Sequence, residues 1–198
     1  MPKLVDHEKR KKQIAEATWK VIVEQGMKGA TVRNIAKEAG VSLGALRHYF
    51  SSQEELLTYS MELVKVRVTE RVTQIALQNL PPKEKVIKML LEMIPTTPET
   101  VVEMEVWFSF ITQMRFHEQK DSGNQDGIFE GIIHLMEYLN QQGHLKKGID
   151  KDIETERLYA IIDGLALHAM LEPQRLNKDR VTLLLKSHLD EIWNETEN

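Results

Sequence analysis

Arg47 and His48 close the stretch TVRNIAKEAGVSLGALRHYF, residues 31–50. An arginine can pair bidentately with a guanine edge, and a histidine can bond a base or a phosphate. That chemistry needs both side chains held outward on a rigid support, and the flanking residues describe one. Thr31 suits the N-cap of a short helix ending near 39, and Ser42 suits that of a second ending near 50. Gly40, between them, takes a left-handed turn cheaply. Ala36 is small enough to let the second helix cross closely. Ile35, Ala39, Val41, Leu46 and Tyr49 are spaced to face inward from both helices. Two short helices crossed over a tight turn form a helix-turn-helix, whose second helix lies in the DNA major groove. With its inward positions taken, that helix presents Ser42, Leu43, Gly44, Arg47 and His48 outward.

The rest of the chain must carry this head. It has 198 residues, 41% hydrophobic and 28% charged, in the range of a soluble globular protein. There is no cysteine, which removes disulfides, thiolate metal sites and cysteine nucleophiles and fits a reducing cytoplasm. The first residues contain no apolar run long enough for a signal peptide, and no window approaches the roughly 20 apolar residues that span a bilayer. A soluble cytoplasmic protein with no membrane partner is expected. The net charge is −4, but it is unevenly spread: residues 1–50 carry ten Lys/Arg against five Asp/Glu, whereas the remainder is acidic. A basic head on an acidic body is the asymmetry of a protein that meets a polyanion at one end.

No segment shows sustained period-two alternation, so the fold class expected is all-α. Ile14, Ala17, Thr18, Val21 and Ile22 form an apolar stripe on a helix over about 6–25 that stops at Gly26. After the two short helices, SSQEE offers a capping box in two overlapping registers. It opens a long helix over about 53–79, ended by Pro81-Pro82. Further helices are expected over about 83–94, 99–117, 128–142, 152–171 and 178–195, with the polar, glycine-bearing stretch 118–127 as a mobile loop. The division expected is 1–52 for DNA binding and 53–198 for a helical effector-binding and dimerisation domain.

The basic first helix, the helix-turn-helix ending in HYF, and SSQEELL opening a long linking helix together resemble the N-terminal domain of the TetR family of transcriptional repressors. The match covers roughly residues 10–60, and its spaced positions make it specific. The ending RHYF is similar to that of the choline-responsive, BetI-like branch. The resemblance implies a homodimer on a palindromic duplex operator, released by a small-molecule effector, with no cofactor. It implies DNA contacts from Lys11, Lys12, Thr31, Val32, Arg33, Ser42, Leu43, Gly44, Ala45, Arg47, His48, Tyr49 and Gln53. Many relatives have a phosphate-bonding lysine where this chain has Gln53, and polar residues where it has Leu43 and Ala45, so fewer phosphate contacts are expected. Thr31 would bond a phosphate in addition to capping its helix.

In the acidic remainder, VVEMEVWFSFITQMRF is apolar nearly all round a helix. Met104, Trp107, Phe108, Phe110, Ile111 and Met114 are the candidates to line an adaptable effector pocket, against the plainer reading that they fill a core. Glu103 or Glu105, if buried beside Trp107, would suit a cationic ligand, although both are expected at the surface. In ETERLYAIIDGLALHAML, Leu158, Ile161, Ile162, Leu165 and Ala169 form one stripe, and Ala160, Gly164 and Leu167 a second. Leu158, Ile161, Ile162, Gly164, Leu165 and Ala169 are taken as the dimer interface. Gly164 in mid-helix costs about 1 kcal/mol relative to alanine, which close approach of another helix would justify. Against an enzyme, there is no Walker loop, HExxH, GxSxG or cysteine, and the seven histidines show no metal-binding spacing. The alternatives left are a helical interaction module, which leaves the basic head unexplained, and an activator without a small-molecule effector.

Overall fold

Helix follows helix, as the apolar periodicity predicts. The computed structural model describes the backbone of residues 2–116 and 127–194, and the side chains of 6–112 and 127–194. The helices among the described residues are α1 (Pro2–Gly29), α2 (Val32–Glu38), α3 (Leu43–Tyr49), α4 (Gln53–Ala76), α5 (Pro82–Leu91), α6 (Pro98–Phe116), α7 (Gly127–Gln141), α8 (Lys151–Leu171) and α9 (Lys178–Ile192). No strand occurs among them; Leu145 and Trp193 form an isolated antiparallel bridge. No described helix is long and apolar enough to cross a membrane. The expected loop at 118–127 lies outside the described residues, apart from Gly127 in α7.

The chain divides into two compact units, Met1–Glu70 with Val101–Asp121, and Arg71–Thr100 with Ser122–Asn198. The first is built on the stripe of α1. Ile14, Ala17, Thr18, Val21 and Ile22 are all buried, and Ile14, Val21 and Ile22 share one core with Ile35, Ala36, Leu46, Phe50, Leu56 and Leu57. The Trp19 indole N–H donates to the Ser60 carbonyl at 3.0 Å, which satisfies a buried donor and ties α1 to α4. Gly26 leaves helical geometry at φ 68°, so the regular helix stops where the sequence predicts. Val102, Val106 and Phe110 of α6 complete this core.

The second unit has its own core. Leu90, Ile94, Ile132, Met136, Leu139, Leu158, Ile162, Val181, Leu185 and Leu189 are fully buried. Asp150 caps α8, accepting from the Asp152 and Ile153 amides, and Asn177 caps α9 by accepting from Arg180 N–H at 3.0 Å. At the other end of α9 the Lys146 ammonium donates to the carbonyls of Asp190 and Glu191, satisfying two acceptors that have no helical partner.

Leu158, Ile162, Leu165 and Ala169, expected at the dimer interface, are buried in this core, and Ile161 packs against it. Leu158, Ile162, Leu165 and Ala169 are therefore covered within the protomer, whereas Ile161 is half-buried. The other stripe is less covered among the described residues. Ala160 and Leu167 are exposed, and a Cβ added at Gly164 would meet nothing within 4 Å.

Candidate nucleic-acid interface

The helix-turn-helix forms by local chemistry. Thr31 Oγ1 accepts from Asn34 N–H at 3.2 Å and Ser42 Oγ from Ala45 N–H at 3.0 Å, so each short helix starts on its own cap. Between them Gly40 adopts φ 63°. Its N–H donates to the Lys37 carbonyl, and Val41 N–H reaches back to the Ala36 carbonyl at 3.0 Å. That pair of bonds closes α2 and turns the chain sharply into α3. Leu46 and Phe50, each 1% exposed, then fix the roll of α3 on the core.

This roll decides what faces outward. Ser42, Leu43, Gly44, Arg47 and His48 are exposed, whereas Ala45 and Tyr49 are half-buried. Arg47 has no hydrogen bond or ion pair among the described residues. Thr31 and Arg33 are exposed on α2 and its cap, and Val32 packs partly against the core. Lys12 is exposed and also unpaired.

Two residues of the expected set are placed differently from the sequence reading. The Lys11 ammonium lies 5.3 Å above the Phe50 ring and 5.5 Å above that of Tyr59, where it binds the join between α3 and α4. The Gln53 amide donates to the Ala30 carbonyl at 3.0 Å, leaving one N–H for any outside partner. The capping signal is realised in both registers: Ser52 Oγ accepts from Glu55 N–H at 3.0 Å, and the Glu55 carboxylate accepts from Ser51 N–H and Oγ–H. Those Ser51 bonds hold the Glu55 carboxyl below the usual range, with the Lys11 charge a smaller contribution. Burial, aided by the Glu8 carboxylate, pushes the Tyr59 phenol up, so it stays a neutral ring beneath Lys11.

His7 carries no motif, yet its ring lies 4.8 Å from Tyr49 and 6.3 Å from His48. It lies on the first turns of α1, inside the helix that the apolar stripe indicates, and its contact with Tyr49 is a long-range one that no local pattern contains. The α6 candidates belong to the same unit. Met104 is buried, while Trp107, Phe108, Phe110 and Ile111 are half-buried; the side chain of Met114 lies outside the described residues. Glu103, expected at the surface, is 5% exposed, one turn from Trp107. A shallow groove of about 240 Å³ between α7 and α8 is lined by Phe129, Ile133, Lys151, Asp152, Thr155 and Glu156, none of them among these candidates. No group of three or more His, Asp or Glu among the described residues could hold a metal ion.

A capped helix-turn-helix with an outward, unpaired arginine defines the class of DNA-binding transcriptional regulators. The comparisons narrow it. Residues 14–59 match the bacterial regulatory proteins of the tetR family, and residues 81–194 match the C-terminal region of BetI-type transcriptional repressors. The HTH-type transcriptional regulator PksA of Bacillus subtilis (strain 168) is 58% identical over 192 residues, covering 97% of this chain and 94% of its own. BetI 1 of Chromohalobacter salexigens is 26% identical over 198 residues, covering 96% and 94%. Among solved structures, a transcriptional regulator from Rhodococcus sp. Rha1 superposes with a TM-score of 0.78 at 23% identity, covering 92% of this chain and 95% of that one. A transcriptional regulator from Saccharomonospora viridis, solved in complex with choline, gives 0.77 at 20% identity, covering 95% and 100%. The chain belongs to the TetR family of transcriptional regulators.

Proposed function

We propose that the chain is a repressor acting as a homodimer in the cytoplasm, on a palindromic operator, and released by a small molecule. Residues 1–52 bind DNA, and residues 53–198 dimerise and take the effector. The observation that carries this reading is the outward face of α3, with Arg47 unpaired among the described residues. An arginine so placed can pair bidentately with a guanine. One seven-residue helix reads too few base pairs for specificity, so two copies related by a dyad are needed.

The second apolar face of the C-terminal unit supports that dyad. Leu167 and Leu171 on α8 and Leu183 on α9 are 41%, 66% and 54% exposed. Together with Ala160 and the bare Gly164 they supply the mating surface. The half-buried rings of α6 and the buried Glu103 supply the effector region, and a carboxylate one turn from an indole suits a cation. The same fold holds choline in the Saccharomonospora viridis protein. The effector acts by preferring the state whose two heads no longer match the grooves, and its differential affinity for the two states limits its effect.

Selection of bound sequences from a random duplex pool at moderate salt tests this. The expected result is an inverted repeat whose half-sites lie about 34–36 Å apart, or a multiple of that spacing. A folded, dimeric protein that enriches no sequence would overturn it.

A further inference from the structure

Two neighbouring residues on the outward face of α3 are unexplained by anything inside the protein. Leu43 is 37% exposed and belongs to no part of either core. Gly44, which follows it, is the second residue of the helix, where glycine is a poor choice relative to alanine. Its φ is not positive, so no turn requires it. Its surroundings do not require it either, because an added Cβ would meet only Ser42 Oγ, at 4.0 Å. A glycine that neither its φ nor its surroundings require leaves room for something approaching from outside. The outward neighbours differ in chemistry. Arg47 and His48 are donors, Ser42 Oγ is engaged with Ala45 N–H, and Leu43 has no polar atom beyond its backbone. In the major groove one base feature suits an aliphatic side chain, the thymine C5-methyl.

The geometry points to Leu43 as the reader of a thymine methyl in each half-site, with Gly44 left bare so that α3 can sit close against the base edges. This rests on the DNA-binding reading above and adds to it the base that α3 selects beside the contact of Arg47.

The test uses the full chain and the operator recovered by selection. Each selected thymine is replaced in turn by deoxyuridine, which lacks only the methyl. At one position per half-site the wild-type protein should bind about fourfold more weakly, the worth of one buried methyl at about 0.8 kcal/mol and tenfold per 1.4 kcal/mol. Leu43→Ala should bind the thymine operator more weakly by a similar factor and should not distinguish thymine from deoxyuridine at that position. Gly44→Ala should move two readouts in opposite directions. Its melting temperature should rise by about 2 °C, because alanine is the better helix former and meets no clash. Its operator affinity should nevertheless fall by more than the fourfold of the methyl. Three results overturn the proposal: no selected thymine, no sensitivity to deoxyuridine, or a Leu43→Ala protein that keeps the full sensitivity. A Gly44→Ala protein that is more stable and binds undiminished removes the close approach. Failure of the reading beneath looks different, since no sequence would then be enriched by the wild-type protein.

Discussion

Among the described residues, Lys9, Lys12, Lys28, Arg33, Lys37 and Arg47 in the first fifty make no ion pair. In the C-terminal unit Arg71 holds Glu92, Lys83 holds Asp190, Lys88 holds Glu84, Lys151 holds Glu137, Arg157 holds Glu154 and Arg175 holds Glu172. The two regions use the same side chains for different ends. Exposed ion pairs contribute little to folding, so an unpaired lysine costs the first region almost nothing in stability. Each one can, however, displace a counterion from a phosphate. The second region engages more of its basic side chains in such pairs, although Lys147, Lys178, Arg180 and Lys186 make none among the described residues, and it exposes apolar side chains at Leu167, Leu171 and Leu183. The contrast fits the division proposed above, nucleic acid at one region and a second copy at the other, and it can be broken from either side.

The largest effect should come from the apolar side. Leu167→Glu combined with Leu183→Glu places carboxylates on the exposed face without touching the core. Sedimentation should show monomers, and operator affinity should fall by about 10²–10⁴, because the second half-site then binds as an independent event. A doubly substituted protein that remains dimeric would remove α8 and α9 from the interface. Next comes Arg47→Ala. Loss of a bidentate guanine contact should cost about 1–3 kcal/mol per half-site and relax preference at that base, read by titrating operator and single-base variants. An unchanged preference would place the reading helix elsewhere.

The third effect separates two adjacent lysines. Lys12→Ala should weaken all duplexes alike and lower the slope of log K against log salt by about 0.9 for each phosphate it no longer neutralises. Lys11→Ala should leave that slope nearly intact and instead lower stability by about 0.5–1 kcal/mol, since its ammonium is seated over Phe50 and Tyr59. Equal slopes for the two variants would mean that Lys11 leaves its rings on binding.

These lysines also show what the sequence makes legible. The caps at Thr31 and Ser42, the turn at Gly40 and the inward face of α3 follow from bonds within a few residues, and the local pattern contains them. The seats of Lys11 over Phe50, Gln53 on the Ala30 carbonyl and His7 beside Tyr49 join residues far apart along the chain. A basic run reads the same whether its ammonium groups face solvent or a ring. Helix α8 has the same ambiguity on a larger scale. Both of its stripes are apolar, and only the burial of Leu158 and Ile162 in the core that α8 shares with α7 and its neighbours shows which one turns inward. Glu103 is the converse case: its type argues for exposure, and the structure buries it.

The smallest effect sharpens the contrast in charge. His7 and His48 lie at the accessible end of the first unit, whereas His188 on α9 is 7% exposed and its Nε2 has no hydrogen-bond partner among the described residues. Burial holds the His188 imidazole below its ordinary pKa of 6.5, while the charges of Glu154 and Glu191 pull the other way and that of Arg157 adds to the burial. The unfolded chain therefore takes up the proton near pH 6.5, and the folded chain only at lower pH. Between those two values the unfolded state binds more protons, so stability falls as the pH drops through that window and is fully present above it. Melting temperatures of the wild type and of His188→Gln, measured at about pH 7.5, 6.5 and 5.5, isolate the contribution. Both proteins share every other titrating group, so the wild type should lose more on acidification, and the extra loss should begin near pH 6.5. Parallel losses would mean that His188 reaches a proton acceptor in the folded state.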